Sequence, residues 1–173
     1  TAESVCYMPG YGIGDAATAL IGQSTGAKRR VLVRSFSIST VGSGMAIMAI
    51  MGVVLYAAAP LMIAIMSPVP EVVALGADVL RIEAWAEPLF GAAIVCYGVM
   101  VGAGDTLAPC WMNLGSMWLV RLSLSALLVG TMGLLGVWTA MCIELCLRGT
   151  IFLIRLYLKY LRIPNSQCII HNA

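Results

Sequence analysis

Long apolar stretches separated by short polar punctuation organise this chain, and five of them are long enough to cross a bilayer. They run from Val5 to Ala27, Ser35 to Met66, Val72 to Val101, Leu107 to Met132 and Leu134 to Tyr160. At about 1.5 Å of rise per residue, roughly 20 residues cross the hydrocarbon layer, and each stretch reaches that length. The pattern predicts an all-α, polytopic transmembrane helical bundle. The second stretch is overlong: Pro60 removes a backbone donor and frees the carbonyl of Tyr56, so a bend is expected there, with Leu61 to Met66 at the interface. Connections are short, at Ser67 to Glu71, Gly102 to Thr106 and Met132 to Leu134, so consecutive spans should be antiparallel neighbours. The pairs Gly10/Gly14, Gly22/Gly26 and Gly98/Gly102 permit close backbone approach.

Composition says which solvent surrounds these helices. Hydrophobic residues make up 61% of the chain and charged residues 10%, against about 25% charged in soluble domains. Such a chain has the lipid bilayer as its partner. The net charge is only +2 and the basic residues sit in two clusters, which excludes a continuous nucleic-acid-binding surface. Lys28, Arg29, Arg30 and Arg34 fill the first loop; Arg155, Lys159 and Arg162 close the fifth span, with Arg148 inside it; only Arg81 lies near an opposite-side loop. By the positive-inside rule, the first loop, the Gly102–Thr106 hinge and the tail at 164–173 face the cytoplasm, as in a multi-pass plasma-membrane protein.

The remaining chemistry is sparse. Of six cysteines, four lie in or at the edges of apolar spans, where thiols behave as small hydrophobes. Cys142 and Cys146 are spaced i, i+4, but the single histidine, His171, lies in the tail, and neither a metal site nor a disulfide framework is expected. No nucleophile–base set and no phosphate-cradling loop occur, so the chain reads as neither an enzyme nor an ATP-driven pump. It opens on Thr1 in mid-pattern, as expected for part of a longer reading frame.

The carboxylates inside apolar spans are the informative residues, because such groups are costly in lipid and are usually kept for ions or substrates. Glu83 and Glu87, spaced i, i+4, share a face of the third span, and Pro88 leaves the Ala84 carbonyl without its donor. Two acids that close resist joint ionisation, the property a proton-coupled site needs. For Glu83 the competing reading is a residue near the outer interface, hydrated or paired with Arg81. Glu87, deeper, is the candidate cation or substrate contact. Asp15 either lines a cavity or caps a helix start. Arg121, in mid-span, requires a carboxylate, with Glu87 and Glu144 as candidates. Glu144 and Arg148, i, i+4 on the last span, read as a structural pair. Asp105 reads as the N-cap of the fourth span, with Gly102 and Gly104 making the turn before it.

Four segments, in order, resemble the MATE family, the multidrug and toxin extrusion antiporters. Ile21-Gly-Gln-Ser-Thr-Gly-Ala27 is similar to the family's Val-Gly-Gln-x-x-Gly-Ala helix end. Ala84-Trp-Ala-Glu-Pro-Leu-Phe90 resembles the segment usually written Gln-Pro-Phe, with Glu87 in place of Gln. Gly102 to Pro109 looks like the glycine-Asp-Thr loop between the fourth and fifth helices of a lobe, and Gly136-Val-Trp-Thr-Ala140 like the start of a lobe's last helix. The resemblance implies twelve helices in two six-helix lobes, exporting small organic cations or drug-like molecules against an inward flow of Na⁺ or H⁺, with no other cofactor. Residues 1–163 would be a C-lobe lacking its first helix, and the missing N-terminal lobe would be its partner. Where other members carry a cation-binding Asp in the tenth helix, this chain has Phe90, with Glu87 one turn earlier. Two alternatives stand beside this reading. A related flippase for lipid-linked precursors would want several basic residues in its cavity, where only Arg121 is deep. The other is a membrane module that does not transport.

Overall fold

The computed structural model describes residues 2–66 and 68–161, and the described residues form helices joined by short turns. Six helices follow in order: α1 (Ala2–Gly26), α2 (Arg30–Met66), α3 (Pro70–Ala84), α4 (Glu87–Gly102), α5 (Leu107–Met132) and α6 (Leu134–Tyr160). The tail expected at 164–173, and Arg162 before it, lie outside the described residues. Helices α2, α5 and α6 are each long and apolar enough to cross a membrane; α3 with α4 makes a fourth span when the bent pair is taken as one. Helix α1, at 25 residues, has the length but carries more polar side chains. Helix α2 runs through Pro60 for 37 residues, or about 55 Å, which exceeds the bilayer's roughly 40–45 Å.

The third stretch, expected as one helix over 72–101, is two helices bent by 54° at Trp85–Ala86. The cause is Pro88, which sits in the first turn of α4, where a missing N–H does no harm. Ala84 consequently loses its i+4 donor. The chain turns through an Ala86 N–H bond to the Glu83 carbonyl (2.8 Å), and α4 restarts with Phe90 N–H on the Ala86 carbonyl (2.8 Å). Helix α2 answers the break with Gly52: a Cβ there would stand 2.8 Å from the Ala84 oxygen and 3.2 Å from Cβ of Glu87.

Helix α4 is the centre of the bundle, packed by α1, α2 and α6, while α3 lies on α2 and α6, and α5 leans chiefly on α6. The α1–α4 contact is a backbone contact. Gly98 and Gly102 lie against the Gly14 and Thr18 carbonyls, and the Thr18 hydroxyl donates to both Gly14 O (3.0 Å) and Gly98 O (3.1 Å). The expected glycine pair on α4 is thus the seam itself. One buried cluster, built on Ala17, Val95, Val99 and Phe152, also gathers Val33 from the start of α2, Ala103 from the end of α4 and Tyr160 from the end of α6. The first loop, the Gly102–Thr106 hinge and the end of α6 therefore share one end of the bundle.

Two helices finish at that end with the same turn. After α4, Asp105 N–H bonds Met100 O (2.9 Å) and Gly104 N–H bonds Val101 O (2.9 Å), with Gly104 at φ 84°. This is a Schellman stop, which needs a left-handed residue and is cheapest with glycine. After α1 the same bonds join Arg29 to Ser24 and Lys28 to Thr25, but the left-handed residue is Lys28, at φ 55°.

Candidate functional site

Between α1, α4, α5 and α6 lies a cavity of about 430 Å³, walled by Tyr11, Asp15, Phe90, Tyr97, Asn113 and Arg148, among others. Asp15 stands in the middle of α1, so of its two readings the structure takes the cavity wall. The aromatic side is continuous: Tyr7 meets Tyr11 at 5.6 Å and Phe90 at 6.1 Å, both edge to face. Phe90 in turn carries the Arg148 guanidinium over its ring at 5.6 Å.

Arg148 is held from two sides. Its Nε lies 3.3 Å from Oε1 of Glu144, one turn back on α6, and an Nη donates to Asn113 Oδ1 on α5 at 2.5 Å. Glu144 is 1% exposed and also accepts from Ser116 Oγ at 2.6 Å. A buried charge needs this degree of satisfaction to persist. The Glu144–Arg148 pair was legible from i, i+4 spacing. Asn113 and Ser116 were missed, although polar residues three apart on an otherwise apolar span were a usable signal.

Ser116 opens a segment of α5, Ser116–Leu122, with π-helical bonding. Such widened turns inside α-helices often mark functional positions. Arg121 lies in this segment. Its expected partners were Glu87 or Glu144, but its guanidinium donates to Met141 Sδ at 2.8 Å, and no ion pair among the described residues includes it. Glu144 meanwhile takes Ser116 and Arg148, both on its Oε1.

Glu83 and Glu87 flank the α3–α4 break and are buried, at 3% and 2% exposure. Their surroundings differ from the expectation for an interfacial Glu83. Arg81 pairs with Asp78 (3.6 Å) and lies over the Tyr56 ring (5.6 Å). Glu87, the first residue of α4, packs its side chain on Gly52. The neighbouring Ile82 carbonyl receives the Cys142 thiol from α6 at 3.5 Å, which ties the break to the last helix.

Asp105 does not cap α5; the capping position is Thr106, without a side-chain bond. Instead Asp105 Oδ2 accepts from Lys159 (2.7 Å) and Arg155 (2.8 Å) at the end of α6. The Schellman turn aims its carboxylate away from the start of α5 and toward those cations. Their hydrogen bonds, Lys159 first and then Arg155, hold the Asp105 carboxyl below the usual carboxylate value. Because the folded pKa is lowered, the bridge stabilises fully above the unfolded value of about 3.9 and is lost as pH falls through the folded one. Asp105→Asn should therefore lower stability by about 1 kcal/mol at neutral pH, the scale of exposed pairs. Melting of variant and parent as a function of pH checks this: their gap should hold from about pH 8 to 5 and close below about pH 4.

Comparisons with known proteins agree in direction. The sequence profile of the family described as MatE matches residues 1–127. A "Probable multidrug resistance protein NorM" of Thermotoga maritima is 24% identical over 154 residues, covering 88% of this chain and 33% of that protein. A protein of the same description from Pseudomonas syringae pv. tomato is 28% identical over 149 residues, covering 82% and 32%. In fold, the chain is similar to a solved structure described as the inward-facing conformation of a multidrug resistance MATE family transporter of the MOP superfamily. That likeness has a TM-score of 0.85 at 14% identity and covers 99% of this chain and 39% of the other. The chain thus spans about a third of the length of the curated relatives it matches.

Proposed function

The chain belongs to the MatE family, and from that premise we propose that it serves in a secondary transporter that exports organic cations or drug-like molecules. The coupling is an inward flow of Na⁺ or H⁺. In this reading the chain supplies most of the C-terminal lobe, an N-terminal lobe completes the transport path, and the basic end of the bundle faces the cytoplasm.

The observation that carries the proposal is the pair of buried acids at a helix break: Glu83 and Glu87 astride a 54° bend. Binding a cation or proton there changes the charge at the joint between α3 and α4, and a charge change at a joint biases which bend is favoured. Glu87 is the residue proposed to take the coupling ion. The cavity supplies the other half of an exporter. Its volume of about 430 Å³ falls in the ordinary range for small-ligand sites. Asp15 gives it a negative charge, and Tyr11, Phe90 and Tyr97 give it aromatic faces, which together suit an organic cation. Arg148, the one cation on its wall, is engaged by Glu144 and Asn113, so the cavity is poorly equipped for phosphate groups.

The test is ion-driven efflux of ethidium by the intact transporter in vesicles. Glu87→Gln keeps the size of the side chain and removes its charge. The variant should insert normally and lose efflux by at least about tenfold, as expected when a coupling group is neutralised. Unchanged efflux would overturn the assignment of Glu87.

A further inference from the structure

On the flank of the bundle, at the end that carries the basic segments, α5 and α6 part to leave an open groove of about 400 Å³. Met112 of α5 and Ile151, Ile154 and Leu158 of α6 form its apolar wall, and Arg155 and Lys159 stand at one end. Helix geometry brings them together: Ile151, Arg155, Leu158 and Lys159 fall on one stripe of α6, where apolar and basic side chains alternate. Trp111, the chain neighbour of Met112 in α5, is 69% exposed, as an indole at a headgroup boundary would be.

The charges do not balance. Arg155 and Lys159 share a single carboxylate oxygen, Asp105 Oδ2, and among the described residues no other acid is bonded to either. Two cations on one anion leave one positive charge in excess. Lys159 keeps nearly half of its side chain exposed, and Nε of Arg155 is buried without an acceptor. Tyr160, whose ring lies 5.6 Å from the Lys159 ammonium, is the other titratable group facing it.

We propose that this groove holds one anionic phospholipid of the leaflet on that side. Its phosphate sits on Arg155 and Lys159, and an acyl chain lies along Met112, Ile151 and Ile154. A zwitterionic lipid would fill the apolar wall equally but would not answer the excess charge. The lipid and Asp105 compete for the same two cations, so occupancy loosens the tie between the Gly102–Thr106 turn and the end of α6.

Native mass spectrometry of the intact protein from mild detergent tests this, using phosphatidylglycerol and phosphatidylcholine of identical chains, with inorganic phosphate as soluble competitor. Phosphatidylglycerol should bind about fivefold better than phosphatidylcholine, the preference one basic residue confers near an anionic surface. Arg155→Gln with Lys159→Gln should abolish that preference. Asp105→Asn, which frees both cations, should strengthen phosphatidylglycerol binding, an effect a purely structural bridge would not give. Ile151→Trp, on a lipid-facing position, should obstruct the wall and weaken binding with the charges intact. Equal binding of the two lipids, or no gain in Asp105→Asn, would overturn the proposal. So would inorganic phosphate displacing the lipid at equal concentration, since the site would then be one for free anions.

Discussion

Replacing Glu144 by alanine should lower stability by about 3–5 kcal/mol, the cost of removing one member of a buried ion pair. Three losses combine in that change. Arg148 keeps only Asn113 and the Phe90 face, Ser116 loses its acceptor, and a space opens where a fully buried side chain stood. Smaller cuts separate the contributions. Ser116→Ala removes one hydrogen bond to a charged group and should cost about 1.5–3 kcal/mol. Glu144→Leu combined with Arg148→Leu removes both charges and should recover most of the loss. Thermal unfolding of purified protein in detergent provides the ranking. If Glu144→Ala melts with the parent, the bonds from this pair to Ser116 and Asn113 are not what joins α5 to α6. The double variant also separates stability from the proposed transport, because Arg148 lines the cavity: it should regain folding without regaining ethidium efflux in the intact transporter.

Gly98→Val should be the second severe change. A side chain at 98 meets the Gly14 carbonyl and the Thr18 hydroxyl, so α1 must move away from α4. Over-packing of this kind costs about 1–3 kcal/mol, and here the colliding atoms are backbone, which cannot rotate aside. The hydroxyl bridge from Thr18 to Gly98 would be strained as well. Because Gly14 and Thr18 also line the cavity, the same variant should, on the proposed function, weaken ethidium binding. Gly130→Ala is the contrast. Nothing lies within 4 Å of a Cβ there, and exchanging a helical glycine for alanine should stabilise by about 0.5–1 kcal/mol. Equal behaviour of the two variants would mean that the α1–α4 seam does not limit stability.

Much of the candidate site was written in local spacing. Glu144 and Arg148 are four apart on one helix, so their pairing needed no knowledge of the fold. Gly98 and Gly102 announced a close helix contact for the same reason. What spacing could not supply was the partner across a gap. Asp105 precedes an apolar helix and reads as its cap, yet its turn delivers it to Arg155 and Lys159, 50 and 54 residues on. Arg121 needs a polar contact, but that Met141 of α6 supplies it depends on how α5 lies on α6, which spacing does not contain. Glu83 was open to a reading at the outer interface, and only the packed structure buries it, at 3% exposure.

The chain by itself determined its class and most of its helices, though not the break that divides the third stretch. A composition this apolar excludes water as the surrounding solvent, and in lipid every backbone group must be satisfied within a helix, which leaves few other forms. The glycine and proline positions determined the rest locally, because each acts on its own turn. Tertiary structure decided which charges meet. Ion pairs, the cavity wall and the groove on α5 and α6 all join residues from different helices. Their distances depend on crossing geometry, set by packing over the whole bundle, and no local stretch of sequence contains it.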